Sequence, residues 1–379
     1  MTFWRGLLAG RSHLAVLVGL GSAAAVAGAV HRFVPSGPEG DVFEALSPPA
    51  AAYPLRPRGP LDAHELALAR TAWSWFQRNT EPATGLAPAV KGHPAATLWD
   101  WGAQLMAIVS AEDLELVSRS EASARLRRAL TSLSRLPLCD GLLPNKVYDA
   151  RTLAMVRYDG TPAPRGIGWS ALDVARILAP LSLVAWRHPE LAPLVRATVS
   201  RWHLEEIADG ASLRGASRGP DGALVRHREG TLGYEQHAAK ALLRWGFPAA
   251  EALDWRAHLA VTEVGGQPVP RDDRPRAEAG TSAALVAEPF LLDALEDGVD
   301  AVTLPVARAL LRAQERRAAK VGHPVAVSED ALDRPPWFSY SALLDDTGAA
   351  WASVAPGGDR APGALTFSTK AAVAWAVLF

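Results

Sequence analysis

The strongest constraint on the fold is an alternation between two kinds of helical segment. Residues 168–186, GWSALDVARILAPLSLVAW, are apolar nearly all round, which is typical of a helix buried on every side. Residues 190–206, ELAPLVRATVSRWHLEE, place apolar side chains on one face and Arg196 and Arg201 on the other. The same pair recurs along the chain. Its buried segments begin near Trp99, Trp169, Tyr234, Glu288 and Phe367.

These pairs predict an all-α fold, an (α/α)6-type toroid of helical hairpins with apolar helices inside and amphipathic helices outside. Their spacing is too irregular for a solenoid built from one consensus repeat. Five hairpins can be counted, and we expect a sixth to involve residues 337–346. β-like residues around a turn within residues 141–162 predict a small hairpin or ordered loop inserted into the toroid.

The first sixty residues differ in composition from the rest of the chain. Arg5 and Arg11 precede an uncharged run over residues 14–30, which predicts a signal peptide or membrane anchor within residues 1–34. Both forms stay open, since Ala27-Gly28-Ala29 would suit cleavage and the run is almost long enough to span a bilayer. Residues 35–60 are rich in Pro and Gly and predict a linker, followed by a toroid domain over residues 61–379. We therefore expect an exported, periplasmic or envelope protein that contacts the membrane through its N-terminal segment.

Overall composition excludes several classes of function. A net charge of −1 and scattered basic residues argue against nucleic acid as a partner. The single cysteine, Cys139, excludes an intrachain disulfide, so stability must come from a core that 49% hydrophobic residues can supply. Metalloprotease, nucleophile-elbow, P-loop and EF-hand motifs are absent from the sequence, and we predict neither a cofactor nor a metal.

Acidic and aromatic residues occur at the starts of the buried segments. A charged side chain on a buried helix is unfavourable unless it has a partner or a function. The candidates are Trp99, Asp100, Trp101, Trp169, Asp173, Tyr234, Glu235, Gln236 and Glu288. If parallel inner helices open on one cavity, these carboxylates converge there, and a protonated and an ionised carboxyl are what glycoside hydrolysis requires. Each also has a structural explanation: Asp100 or Glu288 as a helix cap or arginine partner, and Asp173 as a partner of Arg176.

Six motifs together resemble the bacterial domain-of-unknown-function family 3131. They are TLWDWGAQLMA, LSRLPLCDGLLPNKVYD, GWSALDVARIL, GYEQHAAKALLRWG, SEDALDRPPWFSYS and FSTKAAVAWAVLF. The resemblance spans roughly residues 65–379 and implies a relation to six-hairpin, glucoamylase-like glycosidases. It also implies an association with glycosyltransferases or polysaccharide synthases.

The resemblance adds residues of two loops to the candidate site. It implies substrate-binding roles for Asn145 and Tyr148 in one loop and for Glu329, Asp330, Trp337 and Tyr340 in the other. A tight turn at Pro144-Asn145 and a Pro-Pro-stiffened cover over the last helices are the structural alternatives for these loops.

We thus predict an envelope glycoside hydrolase or transglycosylase that acts on a bacterial polysaccharide or oligosaccharide. Glu235 is the expected general acid, with its pKa raised by apolar and aromatic neighbours, and Asp100 is the expected base with Asp173 in reserve. The alternative is a non-catalytic glycan-binding or assembly subunit of an exopolysaccharide synthesis or export system, which needs no pair of catalytic carboxylates. A terpene-cyclase-like toroid is disfavoured because the sequence has no DDxxD motif.

Overall fold

The structure is a computed structural model that describes Leu46 and residues 53–208, 212–254, 258–274, 284–300, 303–355, 359–361 and 365–379. The predicted signal or anchor segment, residues 1–34, lies outside these residues, as does most of the predicted linker. No helix within the described ranges is long and apolar enough to cross a membrane.

Helices supply most of the frame. They are α1 Ala63–Asn79, α2 Leu98–Asp113, α3 Arg119–Leu133, α4 Ala171–Arg187, α5 Ala192–Val199, α6 Tyr234–Arg244, α7 Glu288–Leu292, α8 Thr303–Val321 and α9 Thr369–Leu378. A π-helical turn, Asp293–Asp297, continues α7, and single 3-10 turns lie at Pro189–Leu191, Leu204–Glu206 and Glu251–Leu253.

Five helices form the inner succession that the apolar segments predict. They are α2, α4, α6, α7 and α9, which begin at Leu98, Ala171, Tyr234, Glu288 and Thr369, each within two residues of its predicted start. Each packs against the next: α2 on α4, α4 on α6, α6 on α7 and α7 on α9. Helix α1 packs on α2, and Arg56 just before it donates its backbone N–H to the Leu378 carbonyl at the end of α9. These contacts close the succession, as in an α/α toroid.

The outer helices are amphipathic because only one face meets the inner layer. Helix α3 packs on α2, α5 on α4 and α8 on α7. In α3, Ala122, Leu126 and Leu130 are fully buried, and they recur at helical spacing while charged residues fill the exposed face. The second helix of each of these three hairpins therefore provides its solvent-exposed face.

Strands make up more of the molecule than the sequence predicts. They are β1 Ala95–Ala96, β2 Leu138–Cys139, β3 Leu143–Pro144, β4 Tyr148–Asp149, β5 Arg214–Arg218, β6 Leu224–Arg228, β7 Leu259–Val264, β8 Gln267–Asp272, β9 Glu329–Ala331, β10 Phe338–Leu344 and β11 Ala350–Val354. All pairings are antiparallel: β1 with β4, β2 with β3, β5 with β6, β7 with β8, and β10 between β9 and β11.

Of two sequence predictions about local structure, one agrees with the structure and one does not. Residues 141–162 form an ordered loop with two-residue strands, as expected, although β4 pairs with the distant β1. The expectation of a sixth hairpin at residues 337–346 is wrong, because Phe338–Leu344 is the central strand of a three-stranded sheet. Its aromatic side chains Phe338 and Tyr340 alternate with the buried Ser339 and Ser341, which is a period of two rather than 3.6.

Candidate active site

A cavity of about 410 Å³ opens where the first turns of α2, α4 and α6 meet β9, β10 and the loop before β4. Its volume is in the range of small-molecule sites. Its titratable lining residues are His93, Asp100, Lys146, Tyr158, Asp173, Glu229, Tyr234, Glu329 and Tyr340. Four carboxyl groups thus share one cavity with one lysine.

Asp100 enters the cavity from the first turn of α2 through a reciprocal cap. The Asp100 carboxylate accepts hydrogen bonds from the Thr97 backbone N–H at 2.8 Å and the Thr97 hydroxyl at 2.9 Å. In return, the Asp100 N–H donates to Thr97 Oγ1 at 3.3 Å, which completes a capping box. Burial raises the pKa of Asp100, whereas the two bonds from Thr97 and the charge of Lys370 oppose that rise.

Asp173 and Glu229 lie together at the start of α4. The Asp173 N–H is capped by Ser170 Oγ at 3.1 Å, and the Ala171 N–H donates to Glu229 Oε2 at 2.6 Å. Burial and the negative charges of Glu229, Asp100 and Glu329 raise the pKa of Asp173 well above its ordinary value, against the opposing charge of Lys146. Asp173 is therefore a carboxyl group that is biased towards its protonated form.

Glycine at position 215 makes room for Glu229. A Cβ atom on Gly215 would lie 2.3 Å from Glu229 Oε2 and 3.0 Å from His227 Nε2. Burial raises the pKa of Glu229, while Lys146 and hydrogen bonds from Ser170 and Ala171 lower it. Lys146 itself donates to Ser217 Oγ on β5 at 2.9 Å, so the hairpin β5–β6 and the loop before β4 position this side of the cavity jointly.

Glu329 occupies the other side, on β9. Its Oε2 accepts a hydrogen bond from the hydroxyl of Tyr234, the first residue of α6. Burial and the charges of Glu288 and Asp100 raise the pKa of Glu329 to about 8, although Lys370 and the Tyr234 hydroxyl oppose the shift. A second carboxyl group is thereby biased towards protonation.

Aromatic rings line the remaining wall. Trp99 meets Tyr234 edge to face with 5.7 Å between ring centroids, and Phe338 meets Tyr340 in the same way at 5.2 Å. Trp337 and Phe338 line the cavity as well. Aromatic faces beside acidic groups can bind a ligand ring that has polar substituents at its edge and apolar C–H groups on its faces.

The amino-acid sequence matches the profile of one protein family across residues 67–379, described as Protein of unknown function (DUF3131). The chain belongs to this family. No curated protein matches it.

Solved structures show what this DUF3131 chain is similar to in fold. An endo-β-1,2-glucanase from Chitinophaga pinensis, in complex with sophorotriose and glucose, is 12% identical with a TM-score of 0.53, covering 75% of each chain. A proposed glucoamylase from Bacteroides caccae is 14% identical with a TM-score of 0.52, covering 73% of each chain. Another from Bacteroides uniformis is 14% identical with a TM-score of 0.50, covering 80% of this chain and 76% of that one. At these identities the likeness establishes the fold, an (α/α)6-type toroid, and leaves the reaction to the site.

Seven of the residues singled out in this DUF3131 sequence do line the cavity. They are Trp99, Asp100, Asp173, Tyr234, Glu329, Trp337 and Tyr340. Four come from helix starts and three from the loop and strands after α8, so the structure brings together two groups that are distant in sequence.

Glu235, the expected general acid, is not a cavity-lining residue. Its carboxylate is buried and accepts a hydrogen bond from the guanidinium of Arg274 at 2.6 Å, with Asp272 on the other side of the same arginine at 2.6 Å. Arg274 thus joins the two carboxylates in one buried, charge-assisted hydrogen-bond network. Glu235 therefore belongs to the frame beside the cavity, which departs from its predicted position in the site.

Other predicted residues serve the frame around the cavity. Gln236 caps the start of α6 through the Gly233 N–H, Glu288 pairs with Lys370 at 2.8 Å, and Asp330 accepts a hydrogen bond from Ser368 at 2.9 Å. None of these three is among the cavity-lining residues.

The remaining predicted residues, three aromatic side chains and Asn145, lie in the core or in the predicted loop. Trp101 is fully buried, stacks on Tyr148 at 5.7 Å and donates to the Ala87 carbonyl. Trp169 is also fully buried, and its indole N–H donates to the Arg214 carbonyl. Asn145 holds the predicted loop together through the Val147 carbonyl and the Ile167 N–H. These side chains therefore lie in the core and the loop and are not among the cavity-lining residues.

Sequence reasoning left out three titratable residues of the cavity: Glu229, Tyr158 and His93. Glu229 carried a weak signal, since an acid between the polar segment RHR and Gly230 stands just before the start of α6. Within the described part of the chain, no group of three or more His, Cys, Asp or Glu side chains is arranged to hold a metal ion.

Proposed function

We propose that the protein is a glycoside hydrolase or transglycosylase that acts on a polysaccharide or oligosaccharide of the cell envelope. The observation that carries this proposal is the convergence of Asp100, Asp173, Glu229 and Glu329 on one aromatic-lined cavity. The pKa values of all four are raised, that of Asp173 well above its ordinary value and that of Glu329 to about 8, and carboxyls in different protonation states are the means of cleaving a glycosidic bond.

Asp173 is our candidate for the general acid. Three carboxylates surround it, and its proton would pass to the glycosidic oxygen as the bond to the anomeric carbon breaks. Protonation of the leaving oxygen releases one sugar as an alcohol and leaves Asp173 ionised.

Asp100 is our candidate for the second carboxylate. The Thr97 N–H and hydroxyl stabilise its ionised form against the rise in pKa that burial causes, and we assign it to act at the anomeric carbon, directly or by taking a proton from an attacking water molecule. In the water route the oxygen of water adds to the anomeric carbon and its proton goes to Asp100. Trp99 and Trp337 would hold the sugar rings.

The test is product release from a panel of glycans by the wild-type protein, Asp173→Asn and Asp100→Asn. β-1,2-Glucan and α-1,4-glucan come first, because proteins of similar fold carry glucanase and glucoamylase names. We expect each substitution to lower kcat by about 10²–10⁴-fold, as for the loss of a general acid or base. Asp113→Asn, at the far end of α2 and outside the cavity, is the matched control and should retain activity.

Three outcomes would redirect the proposal. Release that survives both substitutions would keep a hydrolase and reject this pair of residues. Binding of a glycan without release would favour a glycan-binding assembly subunit. Neither binding nor release across the panel would reject a glycan as the ligand.

We also propose that the protein is exported and works beside the membrane, possessing either a cleaved signal or an uncleaved anchor. Support comes from Arg5, Arg11 and the apolar run at residues 14–30, followed by the Pro-rich linker. A polysaccharide synthase or glycosyltransferase is the corresponding partner. Cell fractionation of the full chain, with and without residues 1–34, tests the location. Recovery of both forms in the cytoplasm would contradict it.

A further inference from the structure

His93 joins two other cavity-lining residues from separate loops, Tyr158 and Trp337. We call these three residues the clasp. The His93 and Trp337 rings are stacked, with 4.3 Å between centroids and 3° between planes. His93 Nε2 donates to the Tyr158 carbonyl oxygen at 2.9 Å. The clasp therefore links a loop before α2, the loop after β4 and the loop between β9 and β10.

The position of His93 is tightly determined. His93 is only 8% exposed and ends a turn that begins at Val90, with Gly92 in the left-handed region at φ 86°. Its ring also lies against Gly160, where a Cβ atom would come within 3.3 Å of His93 Cε1. The imidazole is thus held from three sides.

Trp337 is held in a backbone conformation that bulky residues rarely adopt. Its φ is 67°, in the left-handed region, and the turn around it is closed by two backbone hydrogen bonds of 2.8 Å, from Trp337 to Arg334 and from Leu332 to Trp337. Unfavourable backbone geometry of this kind persists where the surrounding structure imposes it, and it clusters at ligand sites. Here it presents the indole to His93.

The clasp also lies close to the carboxyl groups. The pKa of the Tyr158 phenol is raised by burial and by the charges of Asp173, Glu229 and Asp100. Tyr158, whose carbonyl accepts the His93 hydrogen bond, therefore lies close enough to these carboxyl groups to feel their charge. The clasp and these carboxyl groups line the same cavity.

We infer that the clasp closes the cavity on one side, so that a glycan enters by a chain end and a continuous or cyclic chain is excluded. This inference rests on the proposed function and specifies its mode of action. A link between loops blocks a chain that would have to run through the space it occupies, and selectivity then comes from a clash with the wrong ligand. Products released from a polymer would be short from the start of the reaction.

Binding of linear and cyclic β-1,2-glucans of matched length tests the inference, in the Asp173→Asn background so that ligands stay intact. With the clasp intact we expect the cyclic glucan to bind about tenfold or more weakly than the linear one. We call this difference in affinity between the linear and the cyclic glucan the gap. Trp337→Ala should narrow the gap because the cyclic glucan can then enter, and His93→Ala should narrow it by removing the partner ring on the other loop. Thermal unfolding shows whether each variant folds, and if one of them does not, the other still tests the inference.

Two further variants separate the clasp from general effects. His93→Phe keeps an aromatic ring on Trp337 and should preserve the gap. Trp186→Ala, which removes an indole that is 74% exposed on α4 outside the cavity, should preserve it too. A product-length time course with the wild-type chain adds a second readout, with Trp337→Ala expected to release longer products.

The outcomes distinguish the two proposals. Equal binding of both glucans with the clasp intact, or a gap that Trp337→Ala and His93→Ala leave unchanged, overturns the clasp. Binding with a gap but without hydrolysis by the wild-type chain overturns the proposed reaction and supports the clasp. Binding of neither glucan overturns both for this substrate.

Discussion

Asp173 and Glu235 stand in the first turns of two neighbouring inner helices, α4 and α6, and both are acids among apolar residues. Asp173 shares its surroundings with Glu229, Asp100 and Glu329, which raise its pKa, whereas Glu235 is paired with Arg274 at 2.6 Å. A helix N-terminus stabilises both carboxylates in the same manner. What separates them is the partner that tertiary structure supplies: an arginine for Glu235 and other carboxyl groups for Asp173.

The largest effect should come from exchanging each acid for its amide. Glu235→Gln leaves the buried Arg274 with Asp272 alone and should lower the free energy of unfolding by about 3 kcal/mol. Asp173→Asn removes a carboxyl group that has to take up a proton on folding at pH 7, so it should raise the free energy of unfolding by about 0.5–2 kcal/mol while activity is lost. Chemical denaturation at pH 7 measures both.

Asp113→Asn is the control for this pair, because its ion pair with Arg187 is largely exposed and should be worth under about 1 kcal/mol. The proposed difference between the two acids is contradicted if Glu235→Gln has the free energy of unfolding of the wild type, or if Asp173→Asn is less stable than Glu235→Gln.

A second prediction concerns the space that holds Glu229 beside Asp173. Gly215→Ala would place a Cβ atom 2.3 Å from Glu229 Oε2, which must move away from the Ala171 N–H. We expect a loss of about 1–3 kcal/mol of stability, as for overpacking, together with a large loss of hydrolysis. Gly59→Ala meets nothing within 4 Å and should change neither. Full activity of Gly215→Ala would remove Glu229 from the site.

Much of the fold could be predicted, because apolar periodicity is a local property. The starts of all five inner helices follow from it, and so does the convergence of Trp99, Asp100, Asp173 and Tyr234, since the first turns of α2, α4 and α6 meet at one cavity. The strands β5 to β8 are polar or mixed on both faces, so their period of two is hard to see in the sequence.

The roles of the acids could not be predicted, because each depends on a partner that is distant in sequence. Arg274, which neutralises Glu235, lies 39 residues further on at the end of a hairpin, and Tyr234 bonds to Glu329 across 95 residues. Local sequence carries no information on either pairing. Tertiary contacts alone make one first-turn acid structural and leave the other in the cavity.

A third prediction uses pH to sharpen the contrast between paired and unpaired acids. The pKa of Glu329 rises from 4.5 to about 8 on folding, so the folded state retains a proton that the unfolded chain has lost. The stability that this proton provides is fully present below about pH 4.5 and declines up to about pH 8, by at most about 1.4 kcal/mol per pH unit.

Glu329→Gln should flatten that decline, as seen in the free energy of unfolding at a series of pH values. Glu205→Gln is the control, because this exposed group has a lowered pKa and its proton leaves below the same window. An unchanged slope in Glu329→Gln would show that Glu329 folds in its ionised form.

The smallest effect concerns the cap that distinguishes Asp100 from Asp173. Thr97→Val removes the hydroxyl that caps α2 and bonds to Asp100, so it should cost about 1 kcal/mol and raise the pKa of Asp100 further. If Asp100 is the ionised carboxylate of the reaction, the acidic limb of the pH profile of kcat/KM moves to higher pH. Ser118→Ala removes the cap of the outer helix α3 at a similar cost in stability and should leave that limb in place. A limb that stays in place in Thr97→Val would assign the base to Glu229 or Glu329 instead, because these are the other carboxyl groups, besides Asp173, among the cavity-lining residues.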